Sequence, residues 1–360
     1  MKARNSTLDI AKGLGILLVI FGHNDVVTGE KGELFKIIFS FHVPLFFFLS
    51  GVFLNEAGDA AAFIRSRADA LLKPCFVVLA VFGALRTTVG LHPGETWDTV
   101  HIAYLLGMLY GTGSTIAVEP LWFLPHLFLV SVFSFFVLRS MRNTARVQVA
   151  AVAGALLVVG AVFIDHFWLR GPVKLGPGQL SRLPGLPWSL DLLPVTSAFL
   201  IAGRLSARRI ATMDFQLPLF LVALAVFAGL HVQFDETIDF NRRLYGNFFV
   251  SSLQAAAGIC LCLSLSALFA RFESCRKTLA YIGSGTLFIL IGHGFVQGQV
   301  TAALSPLLPS PWLVAPFAVG IAAALPLLAW EVVKRQRVLA ALLLPLKFPP
   351  SASPANDRGK

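Results

Sequence analysis

Apolar runs of about twenty residues recur along the chain between short polar segments, which is the rhythm of helices crossing a bilayer whose hydrocarbon core takes about 20 residues. Ten spans are expected, near residues 9–27, 34–54, 72–91, 121–139, 147–164, 190–206, 216–231, 248–269, 279–304 and 311–333. No polar stretch between them is long enough for a separate soluble module, so the pattern predicts one all-α, polytopic membrane bundle over 1–346. The longer polar segments, 92–120, 165–189 and 232–247, are expected to be loops. From Lys347 onward Pro, Ser and charge replace the apolar periodicity, and 347–360 is expected to be a disordered tail.

Composition agrees with a lipid environment. The chain is 56% hydrophobic and 13% charged, whereas soluble domains carry about 25% charged residues. A net charge of +10 would suggest a nucleic-acid partner, but its distribution gives another reading. Alternate loops hold 21 of the 29 Lys and Arg residues and the opposite loops hold 7. Basic residues favour the cytoplasmic side, so both termini are expected there and the charge sets orientation rather than nucleic-acid affinity. Asp9 and Lys12 interrupt the first apolar run and no small-residue cleavage pattern follows His23, so this run is expected to remain as a helix. None of the four cysteines falls in a C-x-x-C pattern, and no disulfide is expected.

Ionisable groups inside spans are costly and mark candidate chemistry. Lys12 and His23 are eleven residues apart, which returns them to within about 20° of one helix face and separates them by about 16 Å. His293 sits about 21 Å along the ninth span, the depth of His23, so the two rings can meet. His42 and His126 lie about 12 and 7 Å below the outer ends of their spans, and Asp191 opens the sixth. These three are the candidates for contact with an acceptor. No H-x-x-x-H pattern or neighbouring carboxylate completes a metal set, and none is expected. The outer loops mix acids, bases, Gly, Pro and Trp, which suits a mouth for a hydroxyl-rich ligand or plain solvated loops. Simple structural readings fit Phe46–Phe48 as lipid-facing or core bulk, Trp122 as part of an interfacial belt and Ser50-Gly51 as a close helix contact.

Four segments carry a resemblance: RNSTLDIAKGLGILLVIFGH at 4–23, FHVPLFFFLSGVFL at 41–54, LWFLPHLFL at 121–129 and IGSGTLFILIGH at 282–293. In this order they resemble the acyltransferase-3 family of membrane O-acyltransferases, more narrowly its fucose-4-O-acetylase-like and exopolysaccharide acetyltransferase branch, including mannose acetylating enzymes of xanthan-type clusters. The resemblance implies acyl transfer, usually of acetyl, from cytoplasmic acetyl-CoA to a sugar hydroxyl of a polysaccharide or polyprenyl-linked oligosaccharide, by a protein of the bacterial inner membrane. No permanently bound cofactor is implied. The family's functional histidine maps onto His23, its basic partner onto Lys12 and its late-helix histidine onto His293. An arginine-rich donor segment maps onto RSRADALLKP at 65–74, where Ala70 replaces the arginine nearest the proline and leaves Arg65, Arg67 and Lys73 as donor contacts. His23 would act as general base or as acyl carrier. A flippase for lipid-linked sugars and a non-catalytic subunit of a polysaccharide assembly complex are the alternatives.

Overall fold

The computed structural model describes residues 6–29, 32–89, 97–167, 172–175, 178–181 and 185–346. The expected tail at 347–360 lies outside the described residues, as do His92 and Glu95 of the first long outer segment. The helices are α1 (Ser6–Gly22), α2 (Asp25–Thr28), α3 (Glu33–Phe39), α4 (His42–Val52), α5 (Ala60–Arg67), α6 (Lys73–Val89), α7 (Trp97–Tyr110), α8 (Phe123–Ser140), α9 (Arg146–Phe167) and α10 (Leu193–Ala211). They continue as α11 (Leu217–Gln233), α12 (Phe248–Phe269), α13 (Glu273–Ser284), α14 (Thr286–Leu304), α15 (Pro311–Arg335) and α16 (Arg337–Leu343). A small antiparallel hairpin, β1 (Pro172–Leu175) and β2 (Gly178–Ser181), pairs Pro172 with Ser181 in the loop between α9 and α10.

The protein is an all-α polytopic membrane bundle. Among the described residues, eight helical stretches are long and apolar enough to cross a bilayer. The other two expected spans are α1 and α11, each of 17 residues, or about 25 Å of helix. All ten expected spans therefore contain a helix.

Regularity is lost at four places, each with a local cause. The second span breaks between α3 and α4, where Phe41 leaves the helical region at φ −148°. The ninth breaks at Gly285 between α13 and α14. The third begins earlier than expected, with α5 leading through a π-helical turn at Ala68–Leu72 into α6. The segment 92–120, expected as a loop, contains α7, whose Ile102, Leu105, Leu106 and Leu109 remain exposed as a lipid-facing row. Tyr104 anchors α7 by donating to the Leu79 carbonyl at 2.5 Å, and its ring fills the space over Gly83.

Two helix crossings rest on reciprocal glycines, because close backbone contact substitutes for the missing hydrophobic drive between helices in lipid. In the first, a Cβ on Gly283 would lie 1.9 Å from the Asp9 carbonyl oxygen, and one on Gly13 would lie 2.2 Å from that of Leu279. This locks α1 to α13. In the second, Gly51 of α4 and Gly203 of α10 meet the Leu200 and Phe48 carbonyls at 1.8 and 1.9 Å by the same measure. The Ser50-Gly51 pair thus makes the close contact expected of it. Glu56 and Arg204 clamp the end of this crossing nearer the basic loops through two bonds of 2.7 Å.

Candidate functional site

Three cavities adjoin one another through the bundle, each sharing wall residues with the next. On the side of the basic loops, a cavity of about 790 Å³ is lined by three cations, Lys12, Arg276 and Lys277, and one acid, Asp9, together with Tyr281, Thr286 and Trp330. Lys12 and Thr286 also line the next cavity, a narrower passage of about 250 Å³ whose walls include Phe46, Leu71, Leu287 and Leu290. His23, His42 and Trp122 close that passage and open onto a third cavity of about 670 Å³, which carries Asp25, Glu119, Asp239, Asn241 and Arg242. A charged vestibule, an apolar tunnel and a polar outer chamber follow one another, with His23 at the second junction.

The elements explain this order. The glycine contact between α1 and α13 brings Lys12 to the break at Gly285, so Thr286 at the start of α14 faces both the vestibule and the tunnel. Lys12 is half-buried, with its Nζ 4.2 Å from the Phe53 ring centroid. The π turn before α6 presents Ala70 and Leu71 to the tunnel, and such turns recur at functional sites. Ala70 is the position at which the resemblance expects an arginine. Phe46 packs across Gly15 and forms tunnel wall, while Phe47 is fully buried.

At the second junction His23 lies just beyond the end of α1, reachable through the cavities although protein surrounds it. The His293 ring is 5.3 Å away between centroids, as their matched depths require. His293 is buried, and its Nδ1 donates to the Ile289 carbonyl at 2.9 Å. Its Nε2 has no hydrogen-bond partner among the described residues. His42 is likewise set by a 2.8 Å bond from Nδ1 to the Ile38 carbonyl. Asn24 and Gln297 fix the register of α1 on α14: Asn24 Nδ2 donates to Gln297 Oε1 at 2.8 Å, and Gln297 Nε2 donates to the Ile20 carbonyl at 3.0 Å.

The outer chamber is braced by a second network. Arg243 holds Asp191 through bonds of 3.0 and 3.2 Å and donates to Ser189 Oγ at 3.1 Å. Trp188, Ser189 and Arg243 all occupy the left-handed region, an uncommon state for such residues that the surrounding bonds over-determine. Asn241 donates to Glu119 at 2.5 Å. Burial pushes the Asp239 carboxyl above its ordinary range, against the bond it accepts from the Arg242 backbone N–H.

Lys12, His23, His293 and His42 are therefore gathered on or beside one route, whereas other expected site residues are not. His126 has both ring nitrogens occupied, by the Trp188 carbonyl at 3.1 Å and Thr196 Oγ1 at 3.0 Å, and lines none of the three cavities. Asp191 spends its carboxylate on Arg243. Arg65 is exposed on α5, Arg67 lies over Phe63 at 5.3 Å, and Lys73 is taken by Asp69 and the Leu344 carbonyl, both at 2.7 Å. None of these three lines the vestibule. Arg276 and Lys277 do, although their sequence positions mark only membrane orientation. Trp122, expected in an interfacial belt, is buried between tunnel and chamber and stacks on His126 at 5.8 Å. Gln297 had a legible signal, because it follows His293 by four residues on the same helix face.

Comparison with known proteins adds one finding: the family model described as an acyltransferase domain, that of acyltransferase-3, matches residues 5–331. No curated protein and no solved structure matches the chain.

Proposed function

Because the chain belongs to the acyltransferase-3 family and is a membrane acyltransferase, we propose that it moves an acetyl group from cytoplasmic acetyl-CoA to a sugar hydroxyl of an exopolysaccharide or lipid-linked glycan. The observation that carries this reading is the position of His23, which lines both the tunnel and the outer chamber. A donor entering from the basic vestibule and an acceptor entering from outside would meet at this imidazole.

Each part of the route suits one part of the reaction. Lys12 and Arg276 supply cations for the donor's phosphates, with Lys277 beside them although Glu273 also pairs with it at 2.6 Å. The apolar tunnel takes a slender pantetheine arm and excludes bulk water, which strengthens every electrostatic contact inside. At the junction the sugar hydroxyl oxygen attacks the thioester carbonyl carbon while His23 accepts the hydroxyl proton. As the carbon–sulfur bond breaks, that proton passes to the departing thiolate, giving the acetyl ester and free coenzyme A thiol. His293, with Nδ1 committed to a backbone carbonyl, packs against His23 with ring centroids 5.3 Å apart and could orient it or meet the developing oxyanion. Within the family, the segments at 4–23 and 41–54 support the exopolysaccharide branch, and a bacterial inner membrane is the setting that goes with it.

The test compares acetyl content of the surface or secreted polysaccharide by NMR in a deletion strain complemented with wild type or His23→Ala. Loss of a general base costs about 10²–10⁴ in rate, so acetyl should disappear with His23→Ala at normal polymer yield and normal membrane abundance. Unchanged acetyl in the deletion strain with loss of polymer export would overturn the reading in favour of transport.

A further inference from the structure

The outer chamber is more selective than a general polar mouth, and its charge gives the basis. Three carboxylates line it, Asp25, Glu119 and Asp239, against one guanidinium, Arg242. Arg242 offsets only part of that charge, as one guanidinium against three carboxyls. Its side chain is 66% exposed and reaches Asp239 at 3.6 Å, whereas the Asp239 side chain is only 12% exposed. The neighbouring Arg243 faces away from the chamber into its bonds with Asp191. Glu119 is fixed by the Asn241 amide at 2.5 Å, which occupies Oε1 and leaves the rest of the carboxylate able to accept further bonds. Aromatic walls complete the site: Trp122, Phe35 and Phe39 line the same space, and Phe39 meets His23 edge-on at 6.0 Å.

Carboxylates accept hydrogen bonds from sugar hydroxyls and repel other anions, and the repulsion grows in a partly enclosed site where screening is weak. Resting on the glycan acetyltransferase reading above, we infer that the chamber selects an uncharged, hydroxyl-rich sugar ring, with Glu119 and Asp239 accepting from its hydroxyls, and rejects rings that carry a carboxylate. This assigns Glu119 and Asp239 to acceptor specificity and places Trp122 and Phe39 as apolar faces for the ring. The like-charge juxtaposition works as an element of rejection, which is how specificity between near-identical ligands is commonly obtained.

The experiment uses the full-length protein in nanodiscs with radiolabelled acetyl-CoA and two acceptor pools: p-nitrophenyl β-glucoside with β-galactoside, and the corresponding β-glucuronide with β-galacturonide. Members of the pools differ only at C6, where a carboxylate replaces the hydroxymethyl group, so product from the neutral pool is scored only for esters on the shared ring hydroxyls. Wild type should acetylate the neutral pool at least tenfold faster. A Glu119→Gln/Asp239→Asn double variant, checked for monodispersity, should narrow that ratio at least threefold, through a weaker neutral rate, a stronger uronide rate, or both. The inference is overturned if uronides are taken equally well, if the ratio is unmoved in the double variant, or if neither pool is acetylated. In the last case the polymer of the deletion strain separates the two ideas. Polymer lacking acetyl leaves the acetyltransferase reading standing and removes only the selection of a small neutral ring, while fully acetylated polymer removes both.

Discussion

Two amide side chains hold His23 where it can act. Asn24 follows it directly and Gln297 stands one turn beyond His293, so their bond spans the two helices that carry the histidine pair. Both amides are about 5% exposed, and a buried donor or acceptor left without a partner costs about 1–3 kcal/mol. Gln297→Leu removes the partner of Asn24 Nδ2 and of the Ile20 carbonyl together. The expected result is a 10- to 100-fold fall in acetyl transfer with KM for acetyl-CoA nearly unchanged, and Gln297→Glu should recover part of the rate as pH is lowered and the carboxyl regains a donor proton. Equal loss in both variants at every pH would make the clip a folding element only. The histidine pair itself was readable from residue spacing, because helix rise converts sequence position into depth. Gln297 could be read from its place one turn beyond His293, but Asn24 could not, since a polar residue near a span end has many ordinary roles. Arg276 and Lys277 were hidden for a related reason: any basic residue at a cytoplasmic end already satisfies orientation.

Helix pairing depends on where glycines allow backbones to touch. Gly283 and Gly294 lie on either side of the break at Gly285, yet a Cβ at Gly283 would collide with the Asp9 carbonyl while one at Gly294 would meet nothing within 4 Å. Gly283→Ala should therefore destabilise the protein by about 1–3 kcal/mol through overpacking, and shift Lys12 relative to Thr286. Gly294→Ala should be neutral or stabilising by up to about 1 kcal/mol, because alanine gives up less backbone freedom on folding. Melting temperatures in detergent compare the two directly. The clamp of Glu56 on Arg204 behaves differently with pH. Burial alone would raise the Glu56 carboxyl, but the Arg204 guanidinium outweighs it and holds it below its ordinary range. A lowered carboxyl contributes stability that is complete at neutral pH and is lost as pH falls through its folded value. Glu56→Gln should accordingly cost about 1 kcal/mol at pH 7 and nothing further in acid, so the wild-type advantage in melting temperature vanishes below the usual carboxylate range. The positions of the helices were legible because twenty-residue apolar runs are a strong signal. The break at Gly285 and the helix α7 were not: a window long enough to find a span averages over a kink and overlooks a 14-residue helix.

At the scale of the whole molecule, the proposed reaction along vestibule, tunnel and chamber would be sided. Acetyl-CoA does not cross a bilayer by itself, and the cations that could hold it, Lys12, Arg276 and Lys277, lie on the side of the basic loops. The polar residues of the third cavity lie across the tunnel from them. Loop charge alone could suggest this orientation, but only the three-dimensional structure places His23 in the wall of both the tunnel and the chamber. Inside-out vesicles loaded with acceptor and given external acetyl-CoA should form acetylated product inside, at a rate at least tenfold above right-side-out vesicles treated the same way. Leu71→Trp tests the tunnel itself, since Leu71 forms its wall and the larger ring would fill a passage of about 250 Å³. Transfer should fall below detection in that variant while coenzyme A binding at the vestibule, measured by calorimetry on the purified protein, persists. Equal rates from both vesicle orientations, or normal turnover with the tunnel filled, would mean that donor and acceptor meet from the same side and that the row of adjoining cavities is not the path of the acetyl group.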